Sequence, residues 1–356
     1  MTVTKLALLG VGDVAQRDYL PEFHRLHGRA ELVAACGRTS ERVAEVASRY
    51  RIPSVYTDYG HMLAETDADA VINLTPIQLH HETTLACLEA GKHVYTEKPV
   101  ASTVSDAAEL AQLASERDLV LVCAPSVVLF PQVRRAQALL DEGHLGAVHT
   151  ARAQALMGVP PWPGFTSDPT PYFAEGAGPA LDMGVYPLHI LTALLGPVRR
   201  VAAMVGQAMT GFTVDDGPLA GRRVPVEVPD NWHLLLDFGG QTFATLTANS
   251  CVQDSRAPWV EVYGLEGTVA LHPFDVSAPV ELMRTGEDWQ ELDVRTPGAR
   301  QIGPDHHLGI EHLVDCIQDG RSPTLSVDHA IHVLEVIEQA AESARLGRAF
   351  DLSSRF

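Results

Sequence analysis

Short apolar runs alternate with longer amphipathic stretches over the first third of the chain. The runs are Lys5 to Leu9, Glu31 to Cys36, Ser54 to Tyr56, Ala70 to Leu74, His93 to Thr96 and Val120 to Cys123. Runs this short and this apolar suit strands covered on both faces. Between them Ser40 to Tyr50, Glu82 to Ala90 and Val104 to Arg117 repeat with helical period. The alternation predicts βαβ units and a parallel sheet. Thr103 and Asp106 have capping-box spacing, and Gly91 stands where a helix stop favours glycine.

The pattern changes after Pro125. Two helical stretches, Pro131 to Leu140 and Tyr186 to Leu195, each end near a glycine, Gly143 and Gly196. Three hairpin signals follow: LLLDF-GG-QTFATLTA turning on Gly239 and Gly240, then WVEVY-GLEG-TVALH and ELMRT-GED-WQELDV. Consecutive hairpins predict an antiparallel sheet with one face left open. Two helices close the chain, His306 to Asp319 and Val327 to Leu346. The expected fold is α/β. An N-terminal Rossmann domain with a doubly wound parallel sheet spans 1–123. A C-terminal α+β domain with a largely antiparallel open sheet, for substrate binding and oligomerisation, spans 124–356. The Pro- and Gly-containing loops at 160–171 and 213–229 are long enough to serve as lids or arms.

Composition narrows the partners. At 356 residues the chain exceeds what one core usually fills, so two domains are expected. A formal net charge of −19 disfavours nucleic acid and anionic membrane. The five cysteines include no CxxC pair, and free thiols suit a reducing compartment. No segment reaches the ~18 uninterrupted apolar residues of a membrane span, and a cytoplasmic protein is expected.

Candidate chemistry begins at Gly10, Gly12 and Ala15, a G-x-G-x-x-A turn between the first strand and a helix, with Asp13 and Val14 inside it. That context suits a dinucleotide: a tight turn, close backbone approach to the pyrophosphate, and helix N–H groups facing it. The second strand runs out into Gly37, Arg38, Thr39 and Ser40, with no carboxylate before Glu41. An NAD site usually places an acid there. Here a cation and two hydroxyls favour a 2′-phosphate, so NADP is preferred over NAD. The competing reading is an exposed arginine and an ordinary helix cap.

At the end of the fifth strand stands Thr96-Glu97-Lys98-Pro99. With GVGDVA, TPIQLHHE (Thr75 to Glu82), EAGKHVYTEKP and GPALDMGVYPLH (Gly178 to His189), it resembles the glucose–fructose oxidoreductase/inositol dehydrogenase family, Gfo/Idh/MocA, over essentially the whole chain. The resemblance implies that Lys98 positions the nicotinamide and assists proton transfer, and that Asp182 and Tyr186 of D-x-G-x-Y reach the reacting carbon. It further implies cofactor contacts from Thr75, Pro76, His80 and Glu97, a cis Lys98–Pro99 bond, and a homodimer or homotetramer. The residues agree: hydride transfer at a carbinol carbon needs a group that exchanges the hydroxyl proton, and a nearby ammonium lowers a tyrosine from its usual ~10. Asp182 and Tyr186, four apart, share a face if a helix has begun. His189, one turn on, is a candidate to share the tyrosine's role, and Trp162 to offer an aromatic face to a sugar. Substrate contacts are thus expected from Lys98, Trp162, Asp182, Tyr186 and His189.

Two departures from the family pattern, Ile77 where Asn is frequent and the apolar CAPSVVLF after the sixth strand, make the pocket wall more apolar than a plain monosaccharide site favours. The histidine pairs His307/His312 and His329/His332 lack metal-site spacing and are read as helix residues, with no metal expected. The expected activity is NAD(P)-dependent hydride transfer at a carbinol or carbonyl carbon of a sugar, cyclitol or related glycoside. The alternatives are redox-assisted glycoside cleavage with tightly bound NAD, and a non-catalytic dinucleotide sensor.

Overall fold

The computed structural model describes residues 3–162, 165–295, 300 and 303–356. The chain divides into two compact units. The first holds residues 3–126, 165–167 and His306–Ile331; the second holds the remaining described residues. A division at residue 123 leaves His306–Ile331 with the second half, whereas it clusters with the first unit.

In the first unit six strands form one parallel sheet: β1 (Thr4–Leu9), β2 (Ala30–Cys36), β3 (Ser54–Tyr56), β4 (Ala70–Asn73), β5 (His93–Thr96) and β6 (Leu121–Cys123). Their order is β3-β2-β1-β4-β5-β6, so it reverses beside β1, where open α/β sheets bind ligands. Leu6, Leu8, Val71, Ile72 and Val94 are buried, as runs covered on both faces require. The helices are α1 (Ser40–Tyr50), α2 (Tyr59–Glu65), α3 (His80–Glu89) and α4 (Val104–Glu116). The Thr103 hydroxyl accepts from Asp106 N–H at 3.1 Å and caps α4 as its spacing predicts.

The helix expected after the glycine turn is irregular. It winds as a π-helical turn, Ala15–Tyr19, followed by a 3₁₀ stretch, Leu20–Leu26. Pro21 has no N–H to continue the regular ladder, which accounts for the change of winding there.

The second unit holds α5 (Pro131–Asp141), α6 (Val185–Leu195) and a mixed sheet. Its strands are β7 (Val148–Leu156), β8 (Arg200–Gly206), β9 (Gly211–Thr213), β10 (Arg223–Pro225), β11 (Asn231–Gly239), β12 (Thr242–Asn249), β13 (Val260–Gly264), β14 (Gly267–Leu271), β15 (Val280–Arg284), β16 (Gln290–Leu292) and β17 (Phe350–Asp351). Nine of them order as β16-β15-β14-β13-β7-β12-β11-β8-β17, while β9 and β10 form a separate two-stranded hairpin. The three expected hairpins are present, but the first two are not neighbours. β7 lies between them, parallel to β12 and antiparallel to β13. The sheet is therefore mixed, mostly antiparallel. Because Gly239 pairs with Thr242, the first hairpin turns on Gly240 and Gln241, both with positive φ, rather than on Gly239 and Gly240. The last helices are α7 (Leu308–Asp319), which packs on β5 and β6 within the first unit, and α8 (Val327–Leu346). Among the described residues no helix is long and apolar enough to cross a membrane.

Candidate active site

Four strand ends of the first unit carry its site residues. At the end of β1, Gly10 has φ +100°, and a Cβ there would stand 2.5 Å from the Leu74 carbonyl oxygen. Only glycine makes this turn at this distance. Gly12 has no atom within 4 Å of a Cβ position, so its backbone is open to an approaching group. A tight turn with an open backbone beyond it fits a pyrophosphate. Ala15 is fully buried, the small residue that close packing requires.

Asp13 is held differently from its neighbours. Its carboxylate accepts from Thr166 N–H at 2.6 Å, Thr166 Oγ1 at 3.0 Å and the Ser167 N–H at close range, and it pairs with Arg42 at 3.1 Å. Burial pushes this carboxyl up, but the Thr166 and Ser167 hydrogen bonds outweigh it and hold it below its ordinary value. Asp13, expected among the cofactor contacts, thus fastens the segment 165–167 to the glycine turn. Part of the expected lid, residues 163 and 164, lies outside the described residues.

At the end of β2, Arg38, Thr39 and Ser40 are exposed. Thr39 is extended before α1, and its side chain makes no capping hydrogen bond. Thr39 thus stands at the N-cap position with its hydroxyl unused by the cap, and Arg38 is exposed. Gly37 has a packing reason as well: a Cβ would meet Val11 Cγ2 at 2.8 Å and Val43 Cγ2 at 3.0 Å. Arg42, in the first turn of α1, is the cation that pairs with Asp13.

At the ends of β4 and β5 the polar groups are bolted together. Asn73, fully buried, donates to Thr83 and Thr84 hydroxyls at 2.8 and 3.0 Å and accepts from Thr75 N–H at 3.2 Å and Thr75 Oγ1 at 2.8 Å. Pro76 follows directly. His80, also buried, places Nδ1 2.6 Å from the Pro99 carbonyl and Nε2 2.8 Å from the Thr75 carbonyl. Burial lowers the proton affinity of this ring, and a neutral imidazole donates to one of the two carbonyls at a time. The ring lies between the backbone carbonyls of the two loops. The Lys98–Pro99 bond is cis. Glu97 accepts from the Lys98 N–H at 2.9 Å and from the Tyr19 hydroxyl.

The remaining candidates belong to the second unit. Asp182 is buried in a π-helical turn, Ala180–Gly184, and Tyr186 follows in the first turn of α6. A π-turn closes five residues apart rather than four, so the spacing of Asp182 and Tyr186 does not by itself give them one face. Tyr186 is buried edge-on to Phe274, ring centres 4.7 Å apart. A small pocket brings Asp182 together with Trp162, Tyr172, Phe173, Asn249 and Ser250. The Trp162 indole donates to the Gly158 carbonyl at 2.7 Å and stacks on Phe173 with centres 6.3 Å apart. Phe173 belongs to a small separate core with Val214, Val224 and Val226 of the β9–β10 region. Asn249 and Ser250 were not foreseen, since nothing marks them in the sequence beyond the end of a strand.

His189 lies one turn further along α6. Its ring is buried in α6, Nδ1 is 2.7 Å from the Val185 carbonyl, and burial pushes it down to about 4. The other paired histidines also have local partners: His307 Nδ1 lies 3.1 Å from the Tyr19 carbonyl, and His332 Nε2 accepts from Val198 N–H at 3.0 Å.

A parallel sheet with this turn at its switch point, followed by an EKP segment and a buried Asp before a helix, defines a dinucleotide-dependent oxidoreductase scaffold. The chain belongs to the Gfo/Idh/MocA oxidoreductase family. Residues 4–124 match its oxidoreductase domain with the NAD-binding Rossmann fold, and residues 133–270 match its C-terminal domain. The chain is similar to dTDP-3,4-didehydro-2,6-dideoxy-α-D-glucose 3-reductase of Streptomyces violaceoruber, 34% identical over 60% of each chain. The matched stretch thus spans less than two thirds of that relative's length. It is also similar to trans-1,2-dihydrobenzene-1,2-diol dehydrogenase of Bos taurus, 24% identical over 88% of each. Among solved structures, levoglucosan dehydrogenase in complex with NADH and levoglucosan superposes with a TM-score of 0.85 at 19% identity, covering 99% of this chain and all of that one.

Proposed function

We propose that this protein is an NADP(H)-preferring dehydrogenase/reductase that oxidises a carbinol carbon, or reduces the matching carbonyl, of a sugar, cyclitol or related glycoside. The observation that carries the reading is the conjunction of the open backbone at Gly12, after β1, with the clamped Glu97–Lys98–Pro99 segment, after β5, at strand ends of one sheet with β4 between them. The first unit holds the cofactor and the second the substrate.

Gly10, Gly12 and the backbone around Val14 would hold the pyrophosphate. Arg38, with the Thr39 and Ser40 hydroxyls beside it, would hold a 2′-phosphate. Thr75, Pro76, Glu97 and Lys98 would line the nicotinamide end. When bound, the nicotinamide supplies or takes the hydride. In the second unit Tyr186 would exchange the hydroxyl proton and Asp182 would orient the substrate hydroxyls, while in the first unit Lys98 would position the nicotinamide and assist the proton transfer. Trp162 and Tyr172 present aromatic faces to the sugar ring, with Asn249 and Ser250 as polar partners.

The outer face of the mixed sheet carries Met204, 80% exposed, Leu235 and Phe243 on three adjacent strands. These side chains favour a homodimer or homotetramer, and the reading places the enzyme in the cytoplasm.

A screen of sugars, polyols and their keto forms with both cofactors, followed by absorbance of the reduced nicotinamide, tests the function. Turnover with at least one member supports it. Cofactor binding with no redox turnover by any class contradicts it, and turnover to a cleaved glycoside with cofactor retained would move the assignment to redox-assisted cleavage.

A further inference from the structure

Tyr19 belongs to none of the motifs, yet it is buried at the end of the π-helical turn that follows the glycine motif. Its hydroxyl donates to Glu97 Oε1. The Tyr95 hydroxyl lies 2.8 Å from it; since a phenol has one proton, Tyr95 is the donor there. Burial and the Glu97 charge push the Tyr19 phenol well above its ordinary value, which keeps it protonated and donating. The ring itself is held edge-on to Tyr95, centres 5.7 Å apart, and stacked on His306 at 6.1 Å. The second Glu97 oxygen accepts from the Lys98 N–H at 2.9 Å. One residue further on, the Pro99 carbonyl meets His80 at 2.6 Å.

We propose that Tyr19 is a positioning residue for hydride transfer: through Glu97 it fixes the backbone of Lys98 from one side while His80 fixes Pro99 from the other. The lysine stem is flexible, so what the protein can control is where the stem begins. A loop end left to drift places the ammonium badly, and small misplacements of reacting groups cost large factors in rate. Glu97 alone does not supply the restraint. A buried carboxylate bonded only to its neighbour's N–H turns with the loop, whereas the Tyr19 bond ties it to a different element of the unit.

The proposal rests on Lys98 acting at the reacting centre, and the test separates the two. The chain has three lysines, Lys5, Lys92 and Lys98, so reductive ¹³C-methylation gives an NMR spectrum with few lysine resonances. The one lost in Lys98→Met is assigned to Lys98. Tyr19→Phe, which keeps the ring and removes the hydroxyl, should move that resonance and leave those of Lys5 and Lys92 in place. With the best substrate from the screen it should lower kcat roughly tenfold, with the cofactor KM within about twofold, and have no further effect in the Lys98→Met background. Glu97→Gln, whose amide oxygen still accepts from one of the two donors, should keep more activity than Glu97→Ala. It reads the same resonance if Tyr19→Phe folds poorly. An unmoved Lys98 resonance in both variants overturns the proposal, as does a rate loss that persists undiminished without Lys98. Full activity of Lys98→Met would overturn the role of the lysine itself, independently of what the resonance shows.

Discussion

The two units hold their candidate chemistry in different ways. In the first, the site residues sit at strand ends and are locked by buried polar bonds: Asn73 to the Thr75 loop, His80 to Thr75 and Pro99, Tyr19 to Glu97. In the second, Asp182 lies in a π-turn and its pocket is walled by Trp162, Tyr172 and Phe173, which lean on a small core of their own. A network of buried polar bonds restricts geometry, whereas an aromatic wall on a small core tolerates repacking. A common cofactor needs the first kind of site, and substrates that vary between relatives suit the second. Changes in the first unit should therefore strike rate and cofactor choice, and changes around the second unit's pocket should strike substrate affinity.

The largest effect is expected at the reacting groups. Lys98→Met or Tyr186→Phe should lower kcat by about 10²- to 10⁴-fold while cofactor affinity changes much less. Steady-state kinetics with fluorescence titration of the cofactor checks both, and near-normal turnover of Tyr186→Phe would move the proton role elsewhere.

Cofactor preference comes next. A charge-assisted contact to phosphate contributes about 1.5–3 kcal/mol, roughly 10- to 150-fold in affinity. NADP(H) should bind at least about tenfold tighter than NAD(H), and Arg38→Ala should erase most of that preference while leaving NAD(H) binding nearly unchanged. Calorimetric titration of both cofactors decides it. Substituting Gly37 is the poorer probe, because its missing Cβ is filled by Val11 and Val43.

At the pocket, Trp162→Ala should raise substrate KM by about tenfold with kcat changed much less, the reverse of the first-unit pattern. Equal losses in kcat and kcat/KM would erase the contrast between the units.

The contrast also explains what was legible in the sequence. The glycine turn, the EKP segment and the strands around them are local patterns, and the parallel sheet followed from them. β7 was not foreseen. Its buried positions are Ala151, Ala153 and Ala155, too small to make a hydrophobic alternation stand out, and its place between two hairpins depends on pairing with residues about 90 positions away. The π-turn holding Asp182 and the tie from Tyr19 to Glu97 were hidden for the same reason: a periodicity signal says which face is buried, not how a turn is wound or which distant acid a tyrosine meets. Asp13 reads as a cofactor contact by motif position, and only the fold shows its carboxylate committed to Thr166 and Ser167.

The smallest expected effect lies in the C-terminal segment. Glu335 accepts from the N–H and hydroxyl groups of Ser353 and Ser354 in the chain's last residues. Burial pushes this carboxyl up, but those hydrogen bonds prevail and bring it down to about 2. A depressed carboxyl stabilises the fold above its unfolded value of ~4.3 and loses that contribution as pH falls towards the folded value. Glu335→Gln should therefore lower Tm at neutral pH and flatten its fall between about pH 4.5 and about pH 2, as read by calorimetry. Activity per folded molecule should be unchanged.

The central claim is that this chain transfers a hydride between a nicotinamide and a sugar-type carbon. NADPH deuterated at C4 on either face, incubated with the keto sugar or keto glycoside turned over best, tests it directly, with the product read by mass spectrometry and NMR. The account predicts one deuterium on the new carbinol carbon from one of the two labelled faces and none from the other. Product formed without label from either face would contradict it.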